Sequence, residues 1–138
     1  MHRLEILPDA VVRLTSLGSL KIQDCNKLKT LPGLGKLGAL KHLTLGSLFA
    51  LQEMPDLIGL TALGSLTLQY CNKLKTLPGL GKLGPLKQLT LGGLPELQEM
   101  PDLVGLTALG SLTIEYCNKL KTLPRGLGKL GALTQLTL

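Results

Sequence analysis

The stretch "CNKLKTLPGLGKLGALKHLTL", Cys25 to Leu45, puts a leucine at every third position from Leu28 to Leu43. On an α-helix a step of three residues advances about 300°, so these leucines would ring the whole cylinder instead of lining one face. Pro32, Pro55, Pro78, Pro101 and Pro124 exclude a long helix independently. Inward-facing residues every two or three positions describe a chain that coils as a solenoid. The first part of the stretch returns as "CNKLKTLPGLGKLG" at Cys71 and "CNKLKTLPRGLGKLG" at Cys117, 46 residues apart each time.

A shorter period lies beneath that one. The strand-like signature L-x-x-L-x-[LI] recurs as "LGSLKI" at Leu17, "LKHLTL" at Leu40, "LGSLTL" at Leu63, "LKQLTL" at Leu86, "LGSLTI" at Leu109 and "LTQLTL" at Leu133. The steps are 23 residues, and 24 for the last, where Arg125 lengthens "LPRGL". The unit is therefore 23 residues, and 46 is a pair of alternating unit types. Each unit directs apolar side chains inward (Leu17, Leu20, Ile22, Cys25, Leu28, Leu31, Leu34 and Leu37 in the first). One coil cannot offset the entropy of ordering its own backbone, so neighbours must cover it on both sides.

The pattern L-x-x-L-x-L-x-x-C/L-x-x-L-x-x-L-P-x-L-x-x-L resembles the leucine-rich repeat family along the whole chain. That resemblance implies an α/β solenoid, a horseshoe whose concave face is a parallel β-sheet and whose convex side is irregular or 3-10 helical. Residues 1–16 read as the tail of an earlier unit, full units start at 17, 40, 63, 86 and 109, and residues 133–138 begin another, all within one domain spanning 1–138. With no polar cap at either end, the expectation is a piece of a longer array, or an array that associates end to end. The wording of "LTSLGSLKIQDCNKLKTLPGLGKLGAL" most resembles the repeats of plant nucleotide-binding leucine-rich-repeat immune receptors. A ligand-sensing role inside the cell is implied. Most units are one residue shorter than the usual "LPxxLG" form. The alternative is a structural repeat scaffold, natural or engineered, without a specific ligand.

Alternation has an electrostatic side. Odd units carry Lys27, Lys29 and Lys36, then Lys73, Lys75 and Lys82, then Lys119, Lys121 and Lys129 on the returning segment. Even units place Glu53 and Asp56, then Glu96, Glu99 and Asp102 there. Lysines two coils apart stand about 10 Å from one another, roughly one Debye length, with acids between them. Glu96 shares a column with Lys73 and Lys119. The flank reads as a solvated charged surface.

Other chemistry is poorly represented. The formal charge of +6 would suit nucleic acid, but Phe49, Tyr70 and Tyr116 are the only aromatics and no basic run of five exists. No apolar run reaches the roughly 18 residues of a membrane span, and the start lacks a secretory signal pattern, so a cytoplasmic protein is expected. Cys25, Cys71 and Cys117 are equally spaced without a C-x-x-C pair, which fits one buried thiol per double unit better than zinc or a disulfide framework. "LPGLGKLG" lacks phosphate-loop spacing. With His2 and His42 as the only histidines, no nucleophile–base–acid set assembles, so neither enzymatic activity nor a cofactor is expected.

The remaining candidate is a protein-binding surface. In the family, residues between the strand leucines face outward on the concave side. The resemblance thereby nominates Lys21, Asp24, Lys41, His42, Gln69, Tyr70, Lys87, Gln88, Glu115 and Tyr116. A threonine column (Thr44, Thr67, Thr90, Thr113, Thr137) suits strands by β-branching alone. Tyr70 and Tyr116 admit two readings, partner anchors or cross-strand packing residues.

Overall fold

A computed structural model describes residues 3–138; Met1 and His2 lie outside the described residues. Six strands form one parallel sheet in sequence order: β1 (Ser19–Gln23), β2 (His42–Gly46), β3 (Ser65–Gln69), β4 (Gln88–Gly92), β5 (Ser111–Glu115) and β6 (Gln135–Thr137). Their register joins Leu20, Leu43, Leu66, Leu89, Leu112 and Leu136 into one column, and Lys21 with the five threonines into another. Each partner thus lies one repeat away in sequence, and the extra residue at Arg125 is absorbed outside the sheet. Successive strands are parallel because every coil returns before the next begins, as in a β-solenoid.

The two-residue alternation of a strand explains the sorting of side chains. Leu43 and Leu45 point in and are buried, while His42 faces out. Behind the sheet the leucines stack into one continuous core, with no buried polar or charged residue among those described. Coverage thins at the margins. Leu17 and Leu20, expected to point inward, are only partly buried because β1 has no strand on its outer side among the described residues. Leu136 and Leu138 are exposed on the far side.

The returning segments reveal two turn chemistries. In the units starting at 17, 63 and 109, short 3-10 helices form over Leu34–Lys36, Leu80–Lys82 and Leu127–Lys129. Each begins after a left-handed glycine: Gly33 (φ 79°), Gly79 (φ 78°) and Gly126 (φ 79°), a conformation costly for any residue with a Cβ. The intervening units lack these helices. There the Asp56 carboxylate accepts the Ile58 N–H (3.0 Å) and Asp102 accepts the Val104 N–H (2.9 Å), closing an Asx turn instead.

These turns pack backbone on backbone. A Cβ at Gly59 would collide with the Gly35 carbonyl, and one at Gly105 would lie 2.6 Å from the Gly81 carbonyl oxygen. Ahead of the first full unit, a short helix α1 (Asp9–Val12) appears that the leucine pattern does not announce. Its Val11 and Val12 pack on the core, and the Glu5 carbonyl accepts the Lys29 N–H (3.1 Å) from the first unit's return.

Candidate interaction face

Each of the first five strands ends in the same unusual conformation. Asp24 (φ 58°), Ser47 (φ 53°), Tyr70 (φ 55°), Gly93 (φ 62°) and Tyr116 (φ 56°) are all left-handed and occupy one column. Four of the five carry a Cβ and accept a penalty of about 1 kcal/mol or more for that turn. The ladder compensates. Asp24 N–H bonds the Gly46 carbonyl (3.1 Å), Ser47 that of Gln69 (2.8 Å), Tyr70 that of Gly92 (3.0 Å) and Gly93 that of Glu115 (3.0 Å). The nominated residues Asp24, Tyr70 and Tyr116 therefore sit one step beyond their strands, at the sheet's C-terminal rim.

Side chains of odd units lie over glycines of even ones at this rim. A Cβ on Gly46 would come within 3.3 Å of Gln23 Cγ, and one on Gly93 within 2.5 Å of Tyr70 Cδ1. Tyr70 thus rests part of its ring on the next coil and remains 53% exposed, whereas Tyr116 is 73% exposed. Both are accessible, and Tyr70 has the more fixed orientation. Gln69 and Glu115 end β3 and β5 beside them.

The opposite rim collects the other nominated residues. Lys41, His42, Lys87 and Gln88 border a shallow trough of about 550 Å³, with Gly64 and Ser65 between them and Ala62 and Pro85 at its edge. The floor is fixed by shared hydrogen bonds. The Lys41 carbonyl accepts the Gly64 (2.8 Å) and Ser65 (3.0 Å) N–H groups, and the Gly64 carbonyl accepts those of Lys87 (2.8 Å) and Gln88 (3.0 Å). Nine of the ten nominated residues therefore divide into two rim groups, and the tenth, Lys21 on β1, lies between the rims. From Ser65 to Gln69 the two rims are about 13 Å apart along the strand. Gly64, Ser65, Ala62 and Pro85 carry no distinguishing signal within their own units, because a trough needs three adjacent coils.

Charge on the return flank is arranged as the column reading expects. Lys119 Nζ meets Glu96 Oε2 at 2.7 Å from one coil away, and that hydrogen bond, with the Lys119 and Lys75 charges, holds the Glu96 carboxyl below its ordinary range. A second depression of about 650 Å³ there contains Lys73 and Lys75 together with Glu53 and Glu96, so its lysines face their own acids. Cys25 and Cys71 are buried, Cys117 is partly so, and all three are free thiols. Burial pushes the Cys71 thiol up to about 11 and raises Cys117 as well. Their Sγ atoms lie near strand-end carbonyls, 3.5 Å for Cys25 to Gln23 and 3.7 Å for Cys71 to Gln69. Among the described residues no three His, Cys, Asp or Glu side chains are grouped as a metal ion would require. No helix there is long and apolar enough to cross a membrane.

Comparison with solved structures supports this architecture as a leucine-rich repeat solenoid. The leucine-rich repeat domain of the type III effector XopL superposes with a TM-score of 0.68 at 21% identity, over 96% of this chain and 60% of that one. The chain therefore spans less than two thirds of the effector chain's length. An internalin (InlF) from Listeria monocytogenes aligns over 91% of this chain and 55% of its own, at 18% identity and a TM-score of 0.30. No family model and no curated protein matches the sequence.

Proposed function

We propose that the chain is a protein-interaction module whose partner lies across the outward face of the sheet. The observation that carries this reading is the division of labour within each strand. Alternate leucines build the core, the backbones pair in the ladder, and on either side of a constant threonine column the outward residues change from one coil to the next. Such a surface positions side chains for a partner without rearranging, which lowers the entropic cost of binding. Tyrosine rims are suitable anchors because a large amphipathic ring orders few torsions.

The sequence resemblance extends this to a finer reading, the ligand-sensing repeat region of an intracellular, plant-type defence receptor acting in the cytoplasm, with no chemistry of its own. The repeat wording "LKIQDCNKLKTLPGLGKLG" supports it. Selection of peptides from a random displayed library, followed by amide hydrogen exchange on the complex, tests the interaction reading. Protection should fall on β2 to β5, and Tyr70→Ala with Tyr116→Ala should weaken the selected peptides by about tenfold or more. Protection confined to the 3-10 side, or indifference to the double substitution, refutes it.

A further inference from the structure

The trough at the N-terminal rim has features that the fold does not need. Gly64, at its centre, has no positive φ, and a Cβ there would touch nothing closer than the Lys41 carbonyl at 3.7 Å. The equivalent Gly18 would meet nothing within 4 Å. These glycines are thus unlike Gly59, Gly93 and Gly105, which neighbours forbid to grow. What Gly64 does is leave a gap between the side chains of two even coils. Lys41 and Lys87 flank that gap from backbones about 10 Å apart.

Backbones at that spacing allow two long, flexible lysine side chains to bring their ammonium groups onto one carboxylate placed between them. His42, Ser65 and Gln88 add polar groups around the same point, and no acidic residue lines the trough. The contrast with the return flank is direct. There lysines are matched by Glu53 and Glu96 within the chain, whereas here the positive charge has no internal partner in the lining.

We infer that the Gly64 trough is a carboxylate-binding subsite, occupied by a glutamate or aspartate side chain of an acidic segment in the protein partner, clamped between Lys41 and Lys87. This rests on the interaction reading above and names the chemistry its ligand must carry. A polypeptide is favoured over nucleic acid because no Phe, Tyr or Trp lines the trough, and the His42 imidazole alone makes no platform for successive bases. Gly64 keeps the clamp open and Ser65 lies at the level where the carboxylate rests.

The test is a titration of the isotopically labelled chain with a hexaglutamate peptide at low salt, read by amide chemical shifts. Hexaglutamine, inorganic phosphate and a single-stranded oligothymidylate are run in parallel. Shifts should centre on Gly64, Ser65 and Gln88, and Lys41→Ala with Lys87→Ala should weaken hexaglutamate about tenfold. The matched control, Lys73→Ala with Lys75→Ala, removes the same charge from the other flank and should weaken it less than twofold. Gly64→Glu, which tethers a carboxylate in the clamp, should abolish the shifts, while Gly64→Ser should retain most of the affinity; both are expected to fold because the space is open. Equal losses in the two double variants, or shifts on the return flank, overturn the inference. So does phosphate or oligothymidylate binding more tightly than hexaglutamate. If library-selected peptides protect the sheet face yet ignore both Lys41→Ala with Lys87→Ala and added hexaglutamate, the subsite fails while the interaction reading stands. If no selected peptide protects that face, the interaction reading itself fails.

Discussion

Two glycines with the same chemistry should respond in opposite directions to a single added methyl group. Gly105 and Gly84 both lack a positive φ, so alanine meets no backbone strain at either. At Gly84 the new Cβ finds nothing within 4 Å. Gly84→Ala should stabilise by about 0.4–1 kcal/mol, through reduced freedom of the unfolded chain. At Gly105 the Cβ would stand 2.6 Å from the Gly81 carbonyl oxygen, a backbone atom that cannot swing aside. Ordinary contact begins near 3.4 Å, so the two turns must part by about 0.8 Å. A gap of that size forfeits a quarter to a half of the dispersion energy between the facing atoms, and overpacking of this kind costs about 1–3 kcal/mol. The unfolded-state gain is common to both alanines, so the difference between them should be about 1–3 kcal/mol, or roughly 3–15 °C in Tm for a chain of this length. Urea and thermal melts followed by circular dichroism measure it. Native-state hydrogen exchange should place the loss in β3 and β4, whose coils carry Gly81 and Gly105, because coupling in a solenoid runs between neighbouring coils. Equal stability of Gly105→Ala and Gly84→Ala would show that the turns do not touch as described.

Core position should matter more than residue type. Leu89 is 1% exposed and Leu136 45% exposed in the same column, so Leu89→Ala should cost about 3–5 kcal/mol and Leu136→Ala under about 1 kcal/mol in urea melts. Comparable losses at both sites would mean that the central coils are no better covered than the last. Alkaline pH should destabilise the fold through Cys71. The folded thiol titrates at about 11 against an ordinary 9.0, so its contribution is complete below pH 9 and disappears as pH rises to about 11, a loss of about 2–3 kcal/mol. Cys71→Ala should lack that component of the pH profile, and an unchanged slope in the variant argues against a buried thiol.

Much of this architecture is legible from residue spacing alone, and the reason is the period itself. A 23-residue recurrence of L-x-x-L-x-[LI] sets which residues meet across strands, because a coil that repeats its length places like on like. Leu43 and Leu66 pair, and Thr44 and Thr67 pair, as a 23-residue step dictates. Burial of Leu28, Leu31, Leu34 and Leu37 follows from the same rule, since water is excluded wherever apolar columns stack. Glu96 meeting Lys119 is likewise a column relation visible in the letters. Contacts that break the column rule needed the folded chain. Gly105 faces Gly81, one position off register, because the two turn types follow different backbone paths. The left-handed turn that lets Tyr70 lean on Gly93 cannot be read from a tyrosine, a residue that rarely adopts it. The Lys41–Gly64–Lys87 trough exists only when three coils lie side by side, so no single unit carries its signature. Periodicity specifies neighbours in a stack; the detailed path of each turn decides how closely they approach and what space is left between them.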